Sequence, residues 1–357
     1  MTQTATTAPV ARQPVVHRRT IATFRRYLTT VTGGLILAGV GYWLISSFID
    51  NPALTTTSMI VGLQNGTLYA LVALGYTLVY GIIELINFAH GDLFMMGTLF
   101  AGFLVTTVFG VTVSGGTAIG WVIFVAALIG CMAFCASINV TIEFVAYRRL
   151  RRAPKLAPLI TAVGMSFVLL FIGLLWNGSA QQPGWASVLP QGAWTPGGVR
   201  IEHKLVFVIL MTVPLLLLMS WIVTRTKTGK AMRAVAQDQD AARLMGINVN
   251  RIISFTFGLG GALAGAAGLM YQQVIGTTRY DLGFGFGLIA FTAAVLGGIG
   301  NLTGAVLGGV LIGLIKGLND GVGLGQQWSQ TVVFGILIAL MVFRPTGLLG
   351  QTVGEKV

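Results

Sequence analysis

The densest group of residues able to do chemistry lies in Gly81-Ile-Ile-Glu-Leu-Ile-Asn-Phe-Ala-His-Gly-Asp92, where Glu84, Asn87, His90 and Asp92 sit between long charge-free stretches. Ionisable groups at membrane depth are costly, and their default reading is a functional site facing a cavity. The competing reading is a turn between two helices, with Asn87 and Asp92 capping helix ends. A Glu with a nearby His is also half of a zinc site or of an acid–base pair. A single His without a second cluster argues against metal binding and against catalysis.

A second motif is Asp240-Ala-Ala-Arg-Leu-Met-Gly246, preceded by Gly229-Lys-Ala-Met-Arg-Ala-Val-Ala236. Ala, Arg, Leu and Met favour helix, Asp240 suits a first turn, and Gly246 suits a left-handed helix end. The segment reads as a short charged helix held under a membrane, either a docking knob or an ordinary amphipathic surface helix. Small residues recur in Gly258-Leu-Gly-Gly-Ala-Leu-Ala-Gly-Ala-Ala-Gly268 and in Gly297-Gly-Ile-Gly-Asn-Leu-Thr-Gly-Ala-Val-Leu-Gly308. Such spacing lets helix backbones approach closely and implies packing rather than chemistry. Cys131 and Cys135, one helical turn apart in an apolar run, read as small core residues, since a disulfide across one turn is geometrically poor.

The elements that must position these residues follow from composition. Hydrophobic residues make up 55% of 357 and charged residues 9%, too little polar surface to clothe a soluble globule. Charge-free runs occupy 27–49, 51–83, 93–142, 156–199, 205–224, 252–278, 282–315 and 321–343, and about 20 apolar residues suffice to cross a bilayer. The run 93–142 must cross twice, breaking at 110–120. As one helix the run 282–315 would be about 51 Å long, so it breaks at Gly297-Gly-Ile-Gly-Asn301. The fold class is therefore all-α, a polytopic transmembrane bundle of about ten spans with broken or re-entrant helices. The spans fall near 30–49, 57–81, 93–110, 118–142, 158–176, 205–225, 252–274, 284–299, 303–319 and 327–344. Segments 57–110 and 252–319 each pair a small-residue-rich helix with a glycine-broken hairpin, as in an internal two-fold repeat whose interruptions mark a substrate path.

Of 22 Lys and Arg, 16 fall in residues 1–30, 146–155 and 225–251. The positive-inside rule places all three in the cytoplasm, and ten spans put both termini there as well. This clustering accounts for the net charge of +12 without a nucleic-acid partner. The chain divides into a basic disordered tail (1–26), an extra N-terminal transmembrane segment (27–50), a main transmembrane domain (51–345) and a cytoplasmic tail (346–357). The apolar run 27–49 exceeds the length of a signal-peptide core and reads as a retained anchor. Residues 177–204, with three prolines, Trp185 and Trp194, read as an external loop whose surface includes Ser187.

The string Gly62-Leu-Gln-Asn-Gly-Thr-Leu-Tyr-Ala-Leu-Val-Ala-Leu-Gly-Tyr-Thr-Leu-Val-Tyr-Gly-Ile-Ile83, followed by Ile86-Asn-Phe-Ala-His-Gly-Asp92, resembles the LivH-type permeases of branched-chain amino-acid ABC importers. Glu143-Phe-Val-Ala-Tyr-Arg148, Ile160-Thr-Ala-Val-Gly-Met-Ser166, Phe291-Thr-Ala-Ala-Val-Leu-Gly-Gly-Ile-Gly300 and Arg344-Pro-Thr-Gly-Leu-Leu349 extend the resemblance over about residues 55–357. It implies a prokaryotic plasma-membrane importer of two related permeases, two cytoplasmic ATP-binding subunits and an external solute-binding protein. It implies no enzyme activity and no cofactor in this chain, with ATP used by the partner subunits. Consistently, no Gly-x-x-x-x-Gly-Lys-Ser/Thr phosphate loop occurs. Asp240-Ala-Ala-x-x-x-Gly246 is similar to the Glu-Ala-Ala-x-x-x-Gly motif through which importer permeases engage their ATPases, with Asp for Glu, but the later Ile-x-Leu-Pro is missing. Arg233, Asp238, Asp240, Ala241, Ala242 and Gly246 are the expected coupling residues, on a helix within 226–250. Gln64, Asn65, Tyr76, Asn87, His90, Asn301 and Thr303 are the expected polar lining of the path, since small zwitterionic or neutral solutes need hydrogen-bonding groups without fixed net charge. Related permeases for urea and short amides share these motifs and are the alternative within the class. An ion-coupled secondary transporter is the other, and outside 84–92 only Lys316 and Asp320 supply charge near span interiors. A membrane enzyme lacks a catalytic constellation.

Overall fold

A computed structural model describes residues 41–85, 87–111, 118–151, 153–154, 156–178, 186–344 and 346–350. The chain divides into two units, Met1–Pro52 and Ala53–Val357. In the first, residues 41–50 are helical; the rest of the expected span 30–49, the N-terminal tail and residues 351–357 of the C-terminal tail lie outside the described residues.

The second unit is helical almost throughout. Its long helices are α1 (Pro52–Ile83), α2 (Ala89–Phe103), α3 (Ala118–Ile142), α4 (Leu156–Asn177), α5 (His203–Arg225), α8 (Val249–Ile275), α9 (Leu282–Gly297), α10 (Leu302–Val322) and α11 (Ser329–Phe343). Two short helices, α6 (Lys227–Gln237) and α7 (Gln239–Leu244), follow α5. Among the described residues eight helical stretches are long and apolar enough to cross a membrane, α2 being extended by a wider turn at Leu104–Val108. α9, at 16 residues, reaches only about 24 Å, short of a bilayer core. The chain is a multi-pass membrane protein, and the expected break in 282–315 falls at 298–301.

The core is built on backbone proximity. α1 and α10 run antiparallel, with Gly62 against Gly313 and Gly317, and Gly66 against Gly309 and Val310. A Cβ on Gly66 would come within 2.9 Å of the Val310 Cα, so this seam admits no side chain there and holds by close van der Waals contact. α8 is gripped on two sides. Gly261 and Gly265 lie on the Cys131–Asn139 stretch of α3, and Gly268 meets α2 at Phe94–Thr98. Cys131 and Cys135 are buried and unbonded at that contact, as small core residues.

Three boundaries differ from expectation. α2 starts at Ala89 rather than 93, because His90 and Asp92 are wholly buried in its first turn. The expected single helix in 226–250 is two, since Asp238 takes an extended conformation (φ −155°, ψ 114°) between α6 and α7. Residues 177–204 include a small antiparallel hairpin, β1 (Ala193–Trp194) with β2 (Ile201–Glu202), whose residues 194–198 are exposed. Ser187 is buried instead of lying on the loop surface. Gln273 Oε1 accepts from Ser187 Oγ at 3.2 Å and from the Val188 backbone N–H at 2.9 Å, seating Leu189 in the core. Trp185 lies outside the described residues.

Candidate functional site

The basic segments 146–155 and 225–251 meet at one face of the bundle. Here α3 continues through a wide turn, Glu143–Tyr147, into Arg148–Leu150. The wide turn swings Glu143 inward, where it is wholly buried and pairs with Arg151 and, at 3.4 Å, with Arg148. Ser254 Oγ donates to Glu143 Oε2 at 2.5 Å and accepts from Arg148 Nη2 at 2.9 Å, while Arg151 Nη1 donates to Asn250 Oδ1 at 2.7 Å. A buried carboxylate is tolerated only with such saturation, and the result rivets the end of α3 to the start of α8.

The segment that carries α6 and α7 hangs from the same face. Thr226 caps α6 by accepting from the Gly229 N–H at 3.0 Å, and Arg233 donates to the Val223 carbonyl, folding α6 back on the end of α5. Asp238 caps α7, its Oδ1 accepting from Asp240 N at 2.8 Å and Ala241 N at 3.0 Å. Asp240 pairs with Arg243 at 2.7 Å on the surface. Gly246 ends α7 at φ +81°, with Gly246 N–H donating to Arg243 O and Ile247 N–H to Ala242 O, the paired bonds of a Schellman end. Ala242 is buried, whereas Leu244 and Met245 are 89% and 82% exposed. The segment is thus an apolar tip on a firmly capped, charged stalk. Beside it a cleft of about 230 Å³ is lined by Ile83, Glu84, Leu85, Leu150, Arg151, Ala153, Pro158 and Gln239, joining the first residue of α7 to the end of α1.

Beyond that cleft the first turns of α2 and α9 meet. A Cβ on Gly91 would come within 2.7 Å of the Gly287 Cα, and one on Gly283 within 2.7 Å of the Asp92 Cα. Into this junction project Tyr76, Asn87, His90 and Asp92. The His90 ring lies in the space Gly75 leaves open, 4.8 Å from the Tyr76 ring. Asn87 Oδ1 accepts from Tyr147 Oη at 2.8 Å, and Asp92 accepts from Ser166 Oγ of α4. Asn87 and Asp92 therefore do not cap helix ends; α2 begins without a side-chain cap. Among the described residues Asn87 Nδ2, both His90 nitrogens and Asp92 Oδ1 lack a hydrogen-bond partner in good geometry, although the Val72 carbonyl lies near the His90 ring.

The remaining expected lining residues are not gathered here. Gln64 is buried and Asn65 half-buried beside the glycine seam. Asn301 caps α10 by accepting from Gly304 N at 3.1 Å and donates from Nδ2 to the Leu349 carbonyl at 2.8 Å, so both ends of its amide are committed. Thr303 is exposed on the first turn of α10. Because Gly62 lies opposite Gly313 and Gly66 opposite Gly309, Asn301 sits about 15 Å along the axis from the Gln64 level. Two residues escaped the sequence reading: Glu143, whose pairing with Arg148 and Arg151 depends on the wide turn, and Ser166, whose tie to Asp92 is long-range. Only their presence in the matched family strings signalled them.

A family model described as the branched-chain amino acid transport system permease component matches residues 58–342. The chain belongs to this family. The high-affinity branched-chain amino acid transport system permease protein BraD of Pseudomonas aeruginosa is 38% identical over 303 residues, covering 84% of this chain and 97% of the relative. LivH of Escherichia coli strain K12, of the same description, is 36% identical over 304 residues, covering 84% and 96%. The autoinducer 2 import system permease protein LsrC of Escherichia coli O9:H4 is 24% identical over 318 residues, covering 86% and 85%. The permease is thus similar along most of its length to membrane components of import systems for different small solutes.

Proposed function

We propose that this permease is one transmembrane subunit of an ATP-driven importer of branched-chain amino acids. In this reading it sits in the inner membrane of a prokaryote with a second homologous permease, two cytoplasmic ATP-binding subunits and an external solute-binding protein. The basic face lies in the cytoplasm, as the positive-inside rule expects, and the 193–202 hairpin faces the binding protein. The chain itself carries no ATPase site or cofactor. The observation that bears most weight is the capped stalk of α6 and α7: a helix pair this well secured, presenting bare Leu244 and Met245 among charges, has the form of a knob for a groove in another subunit. The greater identity to the amino-acid permeases than to the autoinducer permease favours the substrate assignment. Arg233 and Asp238 shape the knob, and Asp240, Ala241, Ala242 and Gly246 form it. The path runs past Tyr76, Asn87 and His90, with Gln64 and Asn65 further along; Asn301 and Thr303 belong to the hairpin end.

Reconstitution of the whole complex in proteoliposomes tests this. ATP-dependent uptake of labelled leucine, isoleucine and valine, with little competition from urea or acetamide, is expected. Gly246→Val, which forces a β-branched residue into φ +81°, is expected to leave insertion and ATP hydrolysis intact and to abolish uptake. Native uptake by that variant at native assembly would reject the knob, and preferential transport of urea or acetamide would reject the substrate.

A further inference from the structure

Lys316 and Asp320 form a charged pair inside α10 that neither the coupling segment nor the Asn87–Asp92 junction uses. Lys316 Nζ donates to Asp320 Oδ2 at 2.5 Å, one helical turn away. The neighbouring Gly317 rests on Gly62, ten residues into α1, so the pair lies about 15 Å along the bundle from Pro52. Two opposite charges on so apolar a helix are costly even when paired. Local helix stability does not explain them. Asp near a helix C-terminus opposes the macrodipole, and Lys preceding Asp is the weaker order of an i,i+4 pair.

The pair is also unsealed. The two side chains keep 17% and 26% of their surface exposed. Asp320 Oδ1 accepts from Ser329 Oγ at the start of α11. Next to Ser329, the Gln330 amide stands 3.7 Å from where a Cβ on Gly285, in the first turn of α9, would be. One cation, one anion and the Ser329 hydroxyl, which also accepts from Asn319 Nδ2 at 3.2 Å, thus meet with no net charge at the α10–α11 turn, and Gln330 beside them in sequence reaches the first turn of α9.

We propose that Lys316 and Asp320 read the zwitterion of a free amino acid: the substrate carboxylate takes Lys316 Nζ and the substrate ammonium takes Asp320. One internal ion pair is exchanged for two intermolecular ones, so the total charge of the site does not change and neither protein charge is left unpaired. The site demands both free termini and is indifferent to the aliphatic side chain. This inference rests on the amino-acid reading of the preceding section.

The test uses the whole complex in proteoliposomes with the double variant Lys316→Met/Asp320→Leu, which leaves no orphaned charge, and the exchange Lys316→Asp/Asp320→Lys. Subunit co-purification and basal ATP hydrolysis are measured beside leucine uptake. The double variant is expected to assemble at the native yield while leucine uptake falls at least tenfold, and the exchange variant to regain part of it. Leucinamide and N-acetylleucine, each lacking one charge of the zwitterion, are expected not to compete in the native complex. Native uptake by the double variant, or a loss only in step with lost assembly, overturns the inference and makes the pair a clasp for the α10–α11 turn. If the native complex carries urea or acetamide and no amino acid, both this inference and the substrate reading fall; leucine transport undiminished in the double variant sinks this inference alone.

Discussion

Two buried polar regions lie within one stretch of the bundle and are built on opposite terms. Around Glu143 the two carboxylate oxygens are met by Arg148, Arg151 and Ser254. Around His90, four polar atoms on Asn87, His90 and Asp92 lack such partners among the described residues. A saturated network in a low-dielectric interior rigidifies, whereas an unsaturated one carries an uncompensated desolvation cost of about 1–3 kcal/mol per group. The first is a strut; the second, in the reading proposed above, is the part of the path that meets the solute. They touch through Tyr147, which ends the wide turn carrying Glu143 and donates to Asn87, so a shift at the basic face has a short route to the junction of α2 and α9.

The contrast is broken most directly at the strut. Glu143→Gln leaves two guanidinium groups beside a neutral amide, and removing one partner of a buried pair costs about 3–5 kcal/mol. Loss of assembled complex, read by co-purification and by the thermal midpoint, is expected, with uptake falling only in proportion. At the junction the expectation is reversed. Asp92→Asn preserves shape and assembly while uptake falls about tenfold, a change of about 1.4 kcal/mol; native uptake by this variant, or reduced assembly, would make Asp92 a second strut. The smallest perturbation fixes which way both regions face. Thr195→Cys, on the exposed hairpin tip, is expected to react with an impermeant thiol reagent in spheroplasts without loss of uptake. Labelling only after permeabilisation would put the Glu143 strut on the outside.

Sequence exposed whatever depended on hydrophobic length and on glycine. The left-handed turn at Gly110, the break at 298–301 and the left-handed end at Gly246 were readable because glycine tolerates those conformations. Charge-free counting misplaced the start of α2, because it treats every Asp as a boundary and cannot know that Ser166, 74 residues away, receives Asp92. The expectation of one helix within 226–250 joined α6 to α7, since helix formers flank Asp238 on both sides and give no sign that its carboxylate caps a second helix. Asn301 and Thr303 were placed with the path on polarity alone; the hydrogen bond from Asn301 to Leu349 depends on the return of the chain from α11, which no local pattern encodes. Burial of Ser187 likewise depends on Gln273, from another part of the chain.

That return has a consequence for biogenesis. The last carbonyls of α9, at Leu296 and Gly297, receive the backbone N–H groups of Leu348 and Leu349 at 2.8 and 3.0 Å. α9 must therefore enter the bilayer with its end unfinished, and it is completed only after α10 and α11 have been synthesised, threaded and turned back to the same face. Were α11 to insert upside down, those carbonyls would be stranded at the rim of hydrocarbon, at a cost of several kcal/mol. The closing strap thus makes the end of α9 depend on α10 and α11 having brought the chain back to the same end of the bundle.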